Sequence, residues 1–251
     1  MTTPDVPHRF EIEVEVPGTP EVVWQTIATG NGISSWMLPT DLEERVGGVV
    51  RFHMGDTDSV GEVTAYDAPH RIAYVEPDWA ALGGHADADV TPMATEFLVE
   101  AKAGGTCVVR VVSSAFGTGA DWEDEFWTHM TESWAPAFTV LRMVLEHFPG
   151  QTVTPIDASA VIDVDHAVAL AAMRSTVFDQ GVEGEWAQAN DEQATLRLTA
   201  PVPGFLSVMA IPSDEGKTWV ALQGQLFSPD AAAYVEGARA TWQAWLEGLA
   251  P

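Results

Sequence analysis

At about residue 121 the hydrophobic period of this chain changes from two to between three and four, and that switch constrains the fold more than any other feature. Upstream, Phe10-Glu11-Ile12-Glu13-Val14-Glu15-Val16 alternates apolar and acidic residues. This is the pattern of a strand with one dry face and one wet face, the latter carrying Glu11, Glu13 and Glu15. Further strands are predicted over 42–46, 49–54, 61–67, 71–76, 95–101 and 106–114, with turns at Gly47-Gly48 and Gly104-Gly105. Downstream, Phe126, Trp127, Met130, Trp134, Phe138, Leu141 and Leu145 fall three or four apart at most steps, one apolar stripe along a helix over 121–148. An antiparallel sheet with one wet face, backed by a long helix, is an α+β fold.

Local signals refine this outline. Thr19-Pro20-Glu21 reads as a helix start, and the helix over 21–28 buries Val23, Trp24 and Ile27. Gly30 and Gly32 end it, and a short second helix carries Trp36 and Met37. Pro136 removes a hydrogen bond from a helix interior, so a kink or break is expected there, with Ser133 capping a fresh helix. The segment 77–92 contains no clear element and reads as a lid-type or disordered insert around Trp79.

A Pro/Gly-punctuated connector, 149–155, separates a first domain (1–148) from a smaller α+β domain (156–251). In the second, the segment 160–165 precedes a helix over 166–176. Strands at 193–199, 205–211 and 217–225 follow, then a helix opened by Pro229 with Tyr234, Val235, Ala238, Trp242, Trp245 and Leu249 on one stripe.

Charge decides which partners are unsuitable. The 251 residues hold 37 Asp and Glu against 11 Lys and Arg, a net charge of −26. A polyanionic nucleic acid needs cationic residues to release its counterions, and the cations here form no basic run. Anionic membrane surfaces are disfavoured for the same reason, and no apolar stretch approaches the roughly 18 residues of a membrane span. The N-terminus carries no secretory signal pattern, and the single cysteine, Cys107, cannot form an internal disulfide. A cytoplasmic location is expected.

The chemical candidates are weighed against their structural roles. His85-Ala86-Asp87-Ala88-Asp89 has metal-ligand residue types at alternate positions but no closing Glu, so a solvated acidic loop is the simpler reading. In Asp163-Val164-Asp165-His166, Asp165 is better read as a helix cap. Asp121-Trp122-Glu123-Asp124-Glu125 places acid where a helix N-terminus favours it. Cys107 reads as a buried, inert thiol. The seven histidines form no HxxxH pair, and His129 stands out only because it adjoins the apolar stripe. GxSxG, P-loop and GxGxxG motifs are absent, so no catalytic residue, metal or cofactor is assigned.

The order strand, two short helices, antiparallel sheet and long helix is that of the helix-grip fold. Val16-Pro17-Gly18-Thr19-Pro20-Glu21-Val22-Val23-Trp24 with Ile33-Ser34-Ser35-Trp36 resembles the opening of the START/polyketide-cyclase (SRPBCC) superfamily. Gly61-Glu62-Val63 through Asp67-Ala68-Pro69-His70-Arg71-Ile72-Ala73-Tyr74 resembles its central hairpin. Gly104-Gly105-Thr106-Cys107-Val108-Val109, Ser114-Ala115-Phe116-Gly117 and Glu132-Ser133-Trp134 resemble its last strand and helix. The closest branch is that of homologues of the activator of the 90-kDa heat-shock protein ATPase, over about residues 8–148. The resemblance implies a cavity between sheet and long helix holding a hydrophobic or amphipathic small molecule, and it supplies no common catalytic motif. Trp36, Met54, Trp79, Phe97, Trp127, His129 and Phe138 are the expected ligand-binding residues. The alternatives are a cavity-based enzyme of cyclase, dehydratase or hydrolase type, and a module that modulates a chaperone or ATPase. Homodimerisation is compatible with all three. Gly216-Lys217-Thr218-Trp219-Val220 through Leu226-Phe227 echoes Gly105-Thr106-Cys107-Val108 through Ala115-Phe116, so the second domain reads as a truncated helix-grip repeat.

Overall fold

The N-terminal alternation forms a 12-residue strand, β1 (Val6–Pro17), in which His8, Phe10 and Val16 are buried and Glu11, Glu13 and Glu15 are turned to the opposite face. The chain is described here from a computed structural model covering residues 5–54, 57–213 and 216–249. It divides into two units, Met1–Gln151 and Thr152–Pro251.

In the first unit β1 leads into α1 (Pro20–Ile27) and α2 (Gly30–Ser34). Six strands follow: β2 (Thr40–Leu42), β3 (Val49–Met54), β4 (Thr57–Asp67), β5 (Arg71–Glu76), β6 (Met93–Lys102) and β7 (Thr106–Gly117). A four-residue helix, α3 (Trp79–Leu82), interrupts the meander, and α4 (Asp121–His147) closes it. All seven strands form one antiparallel sheet in the order β1-β7-β6-β5-β4-β3-β2. The first strand therefore pairs with the last, Phe10 opposite Ser113 and Val16 opposite Cys107. With α4 packed on β1, this is the helix-grip arrangement. The outer face carries paired charges such as Arg110–Glu13 at 2.7 Å and Lys102–Glu15 at 3.2 Å. Exposed pairs of this kind contribute little to stability.

Three local expectations are corrected. Val46 lies outside a strand: β2 ends at Leu42, and Glu43–Gly48 turns back so that Glu43 N–H meets Val49 O at 2.9 Å. Pro136 does not break α4, which is continuous through it. Ser133 donates to Met130 O at 2.8 Å within the helix rather than capping a new one. Trp134, Phe138 and Leu141, buried on both sides of the proline, offset an interior-proline cost of about 3 kcal/mol. The insert 77–92 is tied down instead of forming a lid. Trp79 is completely buried in α3, and its indole N–H donates to Thr91 O at 2.8 Å. Cys107 is buried as expected, and its thiol is pushed up by burial and by the nearby Glu21 carboxylate.

Gly32 fixes the approach of α2 to α1. A Cβ at this position would lie 2.0 Å from the backbone oxygen of Gln25 and 2.8 Å from Thr26 Cα. Because those obstacles are backbone atoms, no side-chain rotation relieves them. Gly32→Ala is expected to cost about 1–3 kcal/mol or more, read as a lowered urea midpoint at unchanged slope. An unchanged midpoint would contradict this packing.

In the second unit β8 (Thr154–Ile162) precedes α5 (His166–Thr176) and a 3-10 turn (Val177–Gln180). Four strands follow, β9 (Glu183–Ala189), β10 (Gln193–Ala200), β11 (Gly204–Pro212) and β12 (Thr218–Leu226), and then α6 (Ala231–Glu247). The sheet order is β8-β12-β11-β10-β9. Again the first strand pairs with the last, and a helix follows each of them. Asp165 caps α5, its carboxylate accepting from Ala167 N at 3.0 Å and Val168 N at 3.3 Å. Val235, Trp242 and Leu246 of α6 close a core with Met173, Leu196, Val208 and Leu222. Among the described residues no helix is long and apolar enough to cross a membrane.

Candidate functional site

Inward-facing positions of the seven-stranded sheet follow from period two. Most are apolar, but His8 on β1, Ser113 on β7, Thr95 on β6, Tyr74 and Glu76 on β5 and Ser59 on β4 are all buried. Those strands are neighbours, so the six side chains form a polar row across the inner face. Several of its members are joined to one another, while His8 bonds to Glu123 of α4. Ser59 Oγ donates to Glu76 Oε1. Tyr74 lies opposite Thr95 on the neighbouring strand, and Thr95 Oγ1 is 2.7 Å from Ser113 Oγ.

Aromatic rings from the sheet, α4 and the turn after α2 pack together beside this row; α2 ends at Ser34, so Trp36 and Met37 follow the helix and are not carried on it. Trp36 sits 6.3 Å from Phe97, 6.3 Å from Trp134 and 6.1 Å from Phe138, stacked on the last. Phe10 is 5.9 Å from Trp127 and 6.2 Å from Trp134, and Trp134 is 5.6 Å from Phe97. Trp79 adds an edge-on contact with Trp127 at 5.8 Å. Trp127 and Trp134 are each 6% exposed. Their indole nitrogens are two of the three buried side-chain polar atoms that lack a hydrogen-bond partner among the described residues. Buried polar groups are normally paired, and an unpaired one costs about 1–3 kcal/mol.

Five of the seven residues expected from sequence therefore meet in one layer: Trp36, Trp79, Phe97, Trp127 and Phe138. Met54, the last residue of β3, is only half-buried. His129 is exposed on the far side of α4, because it stands two residues from the buried Trp127, about 200° round the helix. Sequence reading missed Phe10 and Trp134 as partners of this layer, and missed the polar row altogether. The signal was present: Glu76 shares its parity with Ile72 and Tyr74, Thr95 with Phe97 and Val99, and Ser113 with Val109 and Val111.

Two buried glutamates have opposite electrostatics. Glu76 is desolvated, which raises its pKa against the opposing Ser59 hydrogen bond and favours the neutral acid. Burial also raises Tyr74 well above the usual phenol range, with the Glu76 charge adding to it. Glu123, in the first turn of α4, is fully buried. Burial alone would raise it, but four donors outweigh that and hold it at about 2. They are Thr118 N–H (2.9 Å), Thr118 Oγ1 (2.8 Å), His8 Nε2 (3.0 Å) and Gly119 N–H (2.9 Å). Gly117 leaves room for it, since a Cβ there would fall 2.1 Å from Glu123 Oε2. His8 also stacks on Trp127 at 5.5 Å and 5°, joining this anchor to the aromatic layer.

The Glu76 shift has a signed consequence. A carboxyl whose pKa is raised on folding holds its proton longer when folded, so stability falls as pH rises from the unfolded value through the folded one. Glu76→Gln keeps an acceptor for Ser59 and removes the ionisation. Its melting temperature relative to wild type is expected to rise between pH 4 and pH 8. A relative decline over that range would contradict a desolvated Glu76.

A model of the family described as "Activator of Hsp90 ATPase homolog 1-like protein" matches residues 17–146. No curated protein matches the sequence. Among solved structures, protein MLL2253 from Mesorhizobium loti is 17% identical, with a TM-score of 0.46, over 56% of this chain and 98% of that one. The Aha1 dimer from Colwellia psychrerythraea is 18% identical, with a TM-score of 0.44, over 56% and 97%. The di-domain ARO/CYC BexL from the BE-7585A biosynthetic pathway is 15% identical, with a TM-score of 0.44, over 95% and 91%.

Proposed function

The chain belongs to the Activator of Hsp90 ATPase homolog 1-like family, and from that premise we propose that its first unit binds a hydrophobic or amphipathic small molecule between the seven-stranded sheet and α4. The observation that carries this reading is the aromatic layer of Phe10, Trp36, Phe97, Trp127, Trp134 and Phe138 set beside a polar row. Apolar walls with a few placed polar groups are the composition of small-molecule sites. The rings touch one another, so a ligand enters by parting α4 from the sheet. Association is then slower than the ordinary 10⁵–10⁷ M⁻¹s⁻¹ range. Stopped-flow tryptophan fluorescence with a panel of hydrophobic compounds tests the reading. A saturable change with slow, concentration-limited onset supports it, and no change across the panel overturns it.

A second reading, that the same space carries a reaction, is favoured by Glu76 and Tyr74 lying together with their charged forms disfavoured. A neutral buried acid is suited to giving up a proton to a bound oxygen. On this reading Glu76→Gln abolishes turnover of a bound compound and leaves its affinity intact.

We further propose that residues 156–251 are a truncated copy of the helix-grip unit at 1–148. The shared pairing of first strand with last, and the helix after each, support this. Two fewer strands account for its smaller size. A homodimer remains part of the proposal, tested by sedimentation.

A further inference from the structure

The two unpaired indoles say which chemistry the layer would take. Trp127 and Trp134 lie seven residues apart on α4, two helical turns, or about 10 Å along the axis. Both rings face the sheet side, Trp127 against His8 and Phe10, Trp134 against Phe10, Phe97 and Trp36. Trp36 and Trp79, in the same layer, give their N–H groups to Thr26 O at 3.0 Å and Thr91 O at 2.8 Å. The sheet's polar groups are engaged with one another and His8 with Glu123. An indole nitrogen can only donate. The donors left over are therefore on the helix, and what they lack is an acceptor.

We infer that the site takes a flat, elongated molecule that bears no negative charge and carries carbonyl or ether oxygens, which accept hydrogen bonds from the Trp127 and Trp134 indoles while its rings stack in the aromatic layer. This rests on the binding reading above and adds the ligand class to it. Flatness follows from the stacked geometry already present, Trp36 on Phe138 at 22° and His8 on Trp127 at 5°. The exclusion of negative charge follows from the buried groups facing the layer. Glu123 is a carboxylate, Glu76 and Tyr74 favour their neutral forms, and His8 is already bonded to Glu123. A carboxylate would enter with no free cation to meet it.

Fluorene, 9-fluorenone and fluorene-9-carboxylate share one tricyclic outline and differ in the oxygen they carry. Their dissociation constants are to be measured by fluorescence on the full chain and on Trp127→Phe and Trp134→Phe. The indole N–H resonances of the wild-type protein are to be followed alongside. The ketone is expected to bind about tenfold tighter than the hydrocarbon, and the carboxylate weaker than either. At least one of the two substitutions is expected to erase the ketone's advantage, so that fluorenone and fluorene bind that variant equally. The Trp127 or Trp134 N–H resonance is expected to move farther downfield with fluorenone than with fluorene. This wild-type measurement stands even if a variant folds poorly. Equal binding of fluorene and fluorenone, with both indole resonances indifferent to the oxygen, overturns the inference and leaves hydrophobic binding standing. Binding of none of the three overturns both.

Discussion

Replacing Glu123 with alanine is expected to cost about 3–5 kcal/mol, because it strands four donors around a fully buried position. Glu123→Gln keeps the shape and loses the charge. Its cost follows from linkage: a carboxylate held at about 2 when folded, against an ordinary 4.5, contributes about 3 kcal/mol once ionised. That contribution is complete above the unfolded value and is lost as pH falls through the folded one. The difference between wild type and Glu123→Gln, measured by urea unfolding, should therefore be constant above about pH 5.5. It should shrink steadily as pH falls toward 2. A pH-independent difference would mean the carboxylate is not selectively stabilised. The contrast with Glu76 is informative, since both residues are buried but Glu123 has four donors at a helix start and Glu76 a single hydroxyl in a strand.

Trp36→Ala is the second large effect, an expected loss of about 3–5 kcal/mol. The indole is 2% exposed, touches Phe97, Trp134 and Phe138, and donates to Thr26 O. Deleting it opens a void where α2, the sheet and α4 converge. Trp36→Phe separates the two contributions. It retains most of the ring and strands the Thr26 carbonyl, for a smaller loss of about 1–3 kcal/mol. Equal losses for both substitutions would place the energy in the hydrogen bond and not in the aromatic layer.

The period of the hydrophobic pattern made the first unit legible, since alternation alone assigns Glu11, Glu13 and Glu15 outward and Phe10 and Val16 inward. The α4 stripe identified Trp127, Trp134 and Phe138 as buried, and adding Trp36 and Phe97 gave most of the aromatic layer. What sequence concealed has identifiable causes. β9, Glu-Gly-Glu-Trp-Ala-Gln-Ala, is an edge strand with no fully buried residue, so its apolar signal is weak. Pro136 is tolerated because tertiary packing on both sides overrides a local rule. Trp79 sits in a segment without periodicity, and only its partner Thr91 shows that the segment is held. Glu76 was readable by parity, whereas its bond with Ser59 depends on strand register. An unpaired indole N–H is a property of three-dimensional surroundings and leaves no mark in the chain.

The central claim, that the space between sheet and α4 of the first unit is where a small molecule binds, is tested most directly by the ten tryptophan indole N–H resonances in a selectively ¹⁵N-labelled full-length protein titrated with 9-fluorenone. The account predicts saturable, concerted shifts of Trp36, Trp127 and Trp134, with Trp186, Trp219, Trp242 and Trp245 of the second unit unmoved. Shifts confined to those four, or no saturable shift in the first unit, would contradict it.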